Sequence, residues 1–224
     1  MLRSVIIVAG GKGLRMGAEV PKQFLFLDGR PLLMHTIEAF YHTDPSIRIV
    51  LVLPKEQQSY WLMLCYRFQF FIGCRIAEGG NTRFQSVKNG LALLPNDGYI
   101  AVHDGVRPFV SQEVIRRCFE EVEHYRAVVP VVSMIESVRK VISEDESEAV
   151  VRDHYKLVQT PQVFEASLLH QAYTQTYSSS FTDDASVVEA LGCKIHLTEG
   201  NRENQKITTP YDMMVANAYL KWQQ

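Results

Sequence analysis

Val8 to Gly17 reads VAGGKGLRMG, and Lys22 follows in PKQFL. Glycines placed after a short apolar run expose backbone N–H groups that suit phosphate oxygens. Here Gly10, Gly11, Gly13 and Gly17 share one connection with Lys12, Arg15 and Lys22. The chemistry on offer is a grip on a triphosphate by amides. The cations would meet the charge that builds when the innermost phosphorus is attacked. Two other glycine motifs fit less well. No G-x-x-x-x-G-K-[ST] string occurs, so this is not a P-loop. The dinucleotide fingerprint G-x-G-x-x-G meets Met16 where its last glycine belongs. The following strand ends in Pro54 and Lys55, without the acid that would hold a ribose. Both departures disfavour a dinucleotide-dependent oxidoreductase.

Three further clusters carry polar chemistry. In AVHDGVRPF, Asp104 follows a buried strand, at the edge where open α/β sheets bind ligands. A carboxylate there can ligate Mg²⁺ or a substrate hydroxyl, and Arg107 can pair with a phosphate. His103 reads as a structural histidine at the strand end. GGNTRFQSV combines Gly80, Arg83 and Ser86 at a strand-to-helix junction. FTDDASVV reads as Thr182 capping a helix whose first turn is acidic.

These residues need elements to hold them. SVIIVA (4–9), IRIVLVL (47–53), GYIAVH (98–103) and AVVPVV (127–132) read as strands buried on both faces. Between them, PLLMHTIEAFYH opens with Pro31 in a first-turn position. RFQSVKNGLALL places Phe84, Val87, Leu91 and Leu94 on one stripe, and SQEVIRRCFEEVEHY starts with a capping Ser111. The alternation predicts a Rossmann-like α/β fold, a mostly parallel sheet with helices on both faces. After Ser133 the pattern changes. SVRKVI and AVVR flank the acidic turn SEDESE, which predicts a protruding β-hairpin arm over 134–158 rather than a second domain. A helix near 165–177, another from Thr182, a strand KIHLTEG and a closing helix capped by TTPYD complete one domain over 1–224.

Composition sets bounds. A chain of 224 residues, 46% hydrophobic, can bury a full core. A net charge of −2 argues against nucleic-acid binding. Cys65, Cys74, Cys118 and Cys193 are scattered without metal-ligand spacing and read as buried, reduced thiols. No apolar run approaches the ~18 residues of a membrane helix, and the opening apolar stretch is too short for a secretory signal. Both point to the cytoplasm.

In order along the chain, AGGKGLRM, PKQF, GGNTRFQSV, HDGVRP, VQTPQ, TDDAS and NQKITTP resemble the 2-C-methyl-D-erythritol 4-phosphate cytidylyltransferases. The resemblance extends from about Arg3 to the last helix. It implies a nucleotide-diphospho-sugar transferase fold and Mg²⁺-dependent transfer of the cytidylyl group of CTP to methylerythritol phosphate. It also implies a homodimer whose arm reaches the neighbouring active site. By matching position, Arg15 and Lys22 stabilise the transition state. Arg152, from the partner chain, and Lys206 position the acceptor phosphate. Asp104, Arg107, Ser137 and Thr182 contact the acceptor, while Gly10, Gly11, Gly80, Asn81, Ser86 and Gly105 wrap CTP. Gly13 and Arg83 join that CTP set from the clusters above.

The pattern departs from its commonest form at several of these positions. Gly10 and Gly105 replace alanines, Asn81 an acid, Ser137 a threonine and Gln205 an aliphatic residue. HDGVRPF and TTPYD also resemble the ribitol or ribulose 5-phosphate cytidylyltransferases, whereas TDDAS and the arginine upstream of TPQ favour methylerythritol phosphate. A non-catalytic nucleotide-binding module would keep the glycines but need neither Lys22 nor Lys206.

Overall fold

The computed structural model describes residues 1–10 and 20–223. Gly11, Gly13, Arg15 and the rest of the glycine-rich turn up to Glu19 lie outside the described residues. β1 (Arg3–Val8) runs parallel between β4 (Arg48–Leu53) and β6 (Tyr99–Asp104), and β5 (Cys74–Glu78) adds parallel to β4. Side chains along a strand point alternately to the two faces, and here both faces are apolar. Val5, Ile7, Ile49 and Leu51 pack with α1 (Leu32–Thr43), α2 (Lys55–Arg67) and α4 (Gln112–Tyr125). Ile6, Val50 and Val52 pack with α3 (Arg83–Leu91), α5 (Ala166–Ala172) and α6 (Asp184–Glu189). Helices therefore cover both faces, as the alternation predicts.

The other half of the sheet is mixed. β11 (Gln162–Glu165) runs antiparallel between β6 and β7 (Ala127–Ser133). β12 (His196–Glu199) pairs parallel with β7, and β10 (Lys156–Val158) pairs antiparallel with it. The sequence hides β11 because its four residues pass straight into α5 with no turn residue between. The helix expected over 165–177 accordingly starts at Ala166 and ends at Ala172. α2 and β5 were also not evident. Only Trp61 and Leu64 of α2 are buried, while Leu62, Met63 and Tyr66 face solvent, so its apolar period is masked.

Local chemistry fixes the element ends. Pro31 precedes α1 and ends the two-residue strand β3 (Arg30–Pro31), rather than lying inside the helix. β3 pairs with β2 (Phe26–Leu27) across Asp28 and Gly29, whose φ values of 50° and 74° are the left-handed pair a tight hairpin requires. Ser111 caps α4 as expected, its Oγ accepting from Val114 N–H at 3.2 Å, a bond worth about 1 kcal/mol. Asp183, not Thr182, caps α6: its Oδ1 accepts from Ser186 N–H at 2.9 Å in a capping box. In α7 (Pro210–Gln223), Thr209 Oγ1 accepts from Asp212 N–H, and Asp212 returns the bond to Thr208 and Thr209.

The arm is a hairpin, β8 (Arg139–Val141) paired antiparallel with β9 (Ser147–Ala149), with the acidic residues around its turn. At its end, 156–158 rejoin the sheet edge as β10. Val141, Ile142 and Val151 stand exposed along it. All four cysteines are free, but only Cys118 is buried and the others are half-buried. Burial pushes the Cys118 thiol up to about 12. Among the described residues, no helix is long and apolar enough to cross a membrane.

Candidate active site

A cleft of about 640 Å³ lies across the carboxyl ends of β1, β4, β5 and β6. Each strand leaves its last residues at the rim: Val8 to Gly10, Pro54 to Glu56, Glu78 to Arg83, and Asp104 with Val106. This is where parallel sheets place ligands.

Lys22 reaches the cleft because its neighbours are anchored. The turn Lys22–Phe24 follows Pro21, and both Gln23 and Phe24 are buried. The Gln23 amide donates to the Ala9 carbonyl at 2.7 Å and to Gln57 Oε1 at 2.6 Å. Phe24 packs edge-on against Tyr60 and lies over Trp61. The three-residue turn thus leaves Lys22 on the cleft wall.

Across the cleft, Thr82 Oγ1 caps α3 by accepting from Gln85 N–H at 3.0 Å, which places Arg83 in its first turn. Ser86 Oγ accepts from Gly80 N–H at 3.0 Å and donates to the Thr82 carbonyl, closing the GGNTR loop.

Asp104 is the charged centre. Its Oδ2 takes Arg107 Nε at 3.1 Å and Lys206 Nζ at 3.0 Å, and Arg83 Nε stands 3.9 Å from Oδ1. Burial alone would raise this carboxyl, but Lys206, Arg83 and Arg107 outweigh it and hold Asp104 below the ordinary carboxylate range. Behind it, His103 is sealed. Asp104 N–H donates to Thr160 Oγ1 at 3.1 Å, Thr160 bonds His103 Nδ1 at 3.0 Å, and His103 Nε2 lies 3.0 Å from the Arg107 carbonyl. A carbonyl can only accept, so the proton sits on Nε2. His103 therefore ties down the loop that carries Asp104 and Arg107.

Burial pushes His103 down to about 4 from 6.5. The folded chain then binds fewer protons than the unfolded chain between those values, and stability rises with pH across that window. The melting temperature should be highest above about pH 6.5 and fall as pH drops toward 4. A His103→Gln chain, melted over the same range, should show a shallower decline. An equal decline would clear His103 of the effect.

Of the positions singled out from the sequence, Gly10, Lys22, Gly80, Asn81, Arg83, Ser86, Asp104 and Lys206 line this one cleft. Arg107 instead faces a neighbouring cavity of about 390 Å³ and donates to the Asn204 carbonyl at 2.8 Å. Gly105 is buried away from the cleft lining, where a Cβ would come within 2.9 Å of Ala9 Cβ and 3.2 Å of the Val8 carbonyl. Its glycine serves strand packing. Ser137 and Arg152 are exposed on the arm, Arg152 donating to the Ile135 carbonyl. Thr182 is exposed just before α6.

Gln23, Glu56 and Glu78 also line the cleft, and Asp184 holds Arg83, without being candidates from the sequence. Glu56 and Glu78 border strand ends, a position that flags them once β4 and β5 are known. Asp184 lies in TDDAS, whose local reading is helix capping.

A family model described as 2-C-methyl-D-erythritol 4-phosphate cytidylyltransferase matches residues 3–222. A protein of that name from Bacteroides thetaiotaomicron is 59% identical over 220 residues, covering 98% of this chain and 100% of its own. Its namesake from Porphyromonas gingivalis is 50% identical and covers 97% of each chain. The crystal structure of the Thermus thermophilus enzyme of that name superposes with a TM-score of 0.80 at 32% identity, over 99% of this chain and 100% of that one. The match is unbroken from β1 to α7 and takes in every wall of the cleft, so this chain belongs to the 2-C-methyl-D-erythritol 4-phosphate cytidylyltransferase family.

Proposed function

We propose that the chain transfers the cytidylyl group of CTP to 2-C-methyl-D-erythritol 4-phosphate, giving 4-diphosphocytidyl-2-C-methyl-D-erythritol and pyrophosphate. The observation that carries the mechanism is one cleft holding Lys22 and Lys206 with the GGNTR loop between strand ends. The acceptor is a phosphate monoester with a second pKa near ~6, so it is already largely a dianion at neutral pH. It needs no general base. His103 could not act as one, since it is buried, neutral and hydrogen-bonded at both nitrogens.

The reaction does need relief of repulsion between dianion and triphosphate, and in-line geometry. Arg15 and Lys22 stabilise charge as pyrophosphate leaves. Lys206 aims the attacking phosphate, moving from Asp104 Oδ2 to do so. CTP rests against Gly10, Gly80, Asn81 and Ser86.

Arg152 belongs to a shared site in a homodimer. Two features support this: Arg152 is exposed and does not line its own cleft, and Val141, Ile142 and Val151 on the arm are exposed apolar side chains. Ser137 on the same arm would reach the neighbour's acceptor, while Arg107 and Thr182 approach it from the chain's own side.

Mg²⁺ is expected with a nucleoside triphosphate. It takes oxygen ligands, mostly waters and phosphates, with one or two carboxylates. Asp104 is a poor candidate, because two cations occupy its Oδ2 and a third stands near Oδ1. The residues do not fit a protein-held ion there, and we assign Mg²⁺ to the CTP phosphates alone. The free cysteines suit a reducing cytoplasm.

The test is pyrophosphate release from CTP and Mg²⁺, with 2-C-methyl-D-erythritol 4-phosphate and ribitol 5-phosphate offered in parallel. Release with the first and little with the second is expected. The reverse preference would overturn the acceptor assignment.

A further inference from the structure

VQTPQ and NQKITTP meet at the cavity beside the cleft, and two buried amides make the contact. Asn204 is fully buried, and its Nδ2 donates to the Thr160 carbonyl at 2.8 Å. Its backbone carbonyl accepts from Arg107 Nη1 at 2.8 Å. Gln159, also buried, donates from Nε2 to the Asn201 carbonyl at 2.8 Å, and the same nitrogen lies 3.4 Å from the Asn204 carbonyl. A Cβ on Gly200 would overlap Gln159 Oε1, so a glycine there lets this amide lie against the loop. Asn201 holds the loop from the other side. Its Oδ1 accepts from Ser111 N–H at 3.2 Å, and its Nδ2 donates to the Phe109 carbonyl at 2.9 Å.

These bonds fix the backbone on which Lys206 stands. Asn204 pins the loop two residues before it, and Ile207 N–H, one residue after it, donates to the Val106 carbonyl at 3.0 Å. Thr160 joins the clamp to Asp104: its carbonyl takes Asn204, and its hydroxyl takes the Asp104 N–H at 3.1 Å. Both sides of the Asp104–Lys206 ion pair are therefore tied to one residue. A lysine ammonium rides on a flexible four-carbon stem, so the point from which the stem swings decides what it can reach. Packing alone does not account for Asn204. Among the described residues its Oδ1 has no hydrogen-bond partner, and a buried unpaired acceptor lowers stability. An apolar side chain of that size would avoid the loss but could not hold Thr160.

We infer that Asn204 and Gln159 are positioning residues of the transfer and act through Lys206: they fix the backbone from which its ammonium leaves Asp104 for the attacking phosphate. This rests on the cytidylyl-transfer reading above. In this role neither amide touches a substrate.

The experiment places Asn204→Ala and Gln159→Met in two backgrounds, the natural chain and Lys206→Met, which keeps the stem and removes the ammonium. Pyrophosphate release at saturating Mg·CTP gives kcat/KM for 2-C-methyl-D-erythritol 4-phosphate, and calorimetry gives the Kd for Mg·CTP. In the natural chain, Asn204→Ala should lower kcat/KM on the order of 10-fold and Gln159→Met several-fold, as misplacing an aiming group does. In Lys206→Met each loss should shrink to within about twofold, because residues that act through one group are not additive. The CTP Kd should stay within about twofold throughout. Equal losses in both backgrounds, a CTP Kd weakened as much as the acceptor step, or a lower melting temperature with unchanged kinetics would each overturn the inference. If Lys206→Met turns over too slowly to read, calorimetry of the acceptor on enzyme loaded with a non-hydrolysable CTP analogue makes the same comparison. Should Asn204→Ala fail to fold, Gln159→Met decides in its place. Wild-type turnover tests the reaction itself, so the two readings fail separately.

Discussion

Replacing Lys22 with alanine should lower kcat by ~100- to ~1,000-fold, the scale seen when one preorganised donor to developing charge is lost. The substitution leaves the anchors of the turn in place. Gln23 and Phe24 hold the turn through the Ala9 carbonyl, Gln57 and the aromatic rings around Phe24, and Lys22 itself is only half-buried. The variant should therefore keep the fold of the turn. Because charge on the leaving pyrophosphate grows toward the transition state, the loss should appear in kcat more than in the KM for CTP. Lys22→Arg should recover part of the rate, since the charge returns with a different reach. Near-normal turnover in a folded Lys22→Ala chain would remove Lys22 from the mechanism.

Arg152→Ala should be impaired ~100-fold if it aims the attacking phosphate, as lost positioning commonly costs that much. The more telling result comes from mixing it with Lys22→Ala. In a two-fold dimer whose sites draw Lys22 from one chain and Arg152 from the other, each hybrid carries one doubly damaged site and one intact site. Random exchange at equal amounts should restore about a quarter of wild-type sites in such isologous dimers. The shared-site reading starts from Arg152 being exposed and absent from the lining of its own cleft. Subunit exchange confirmed by mass, with no recovery of activity, would place Arg152 in its own chain's site or outside the reaction.

Much of this site was legible in the sequence, for local reasons. The GGNTR loop and PKQF turn owe their form to adjacent residues: Thr82 caps the helix that follows it, and Gln23 and Phe24 anchor the lysine beside them. The buried strands of the parallel half announce themselves by unbroken β-branched runs, and Ser111 and TTPYD mark helix starts by side-chain bonds to nearby amides. The misjudged features are those where local signals compete. Thr182 and Asp183 are both good caps, and only the bond to Ser186 chooses between them. In α2, exposed Leu62, Met63 and Tyr66 conceal a helix that buries Trp61 and Leu64.

Sequence alone determined where β1, β4 and β6 lie and how α4 and α7 begin, because those depend on contacts within a few residues. Tertiary structure alone decided the partners of Asp104. Arg83 and Lys206, from distant parts of the chain, join the neighbouring Arg107 on one carboxylate, and Asp184 reaches Arg83 across 101 positions. It also decided that β11 enters the sheet antiparallel and that Gly105 serves packing rather than the cleft. Electrostatic pairing and close packing depend on distance in space, and residue order carries that distance only after the sheet has brought the strand ends together.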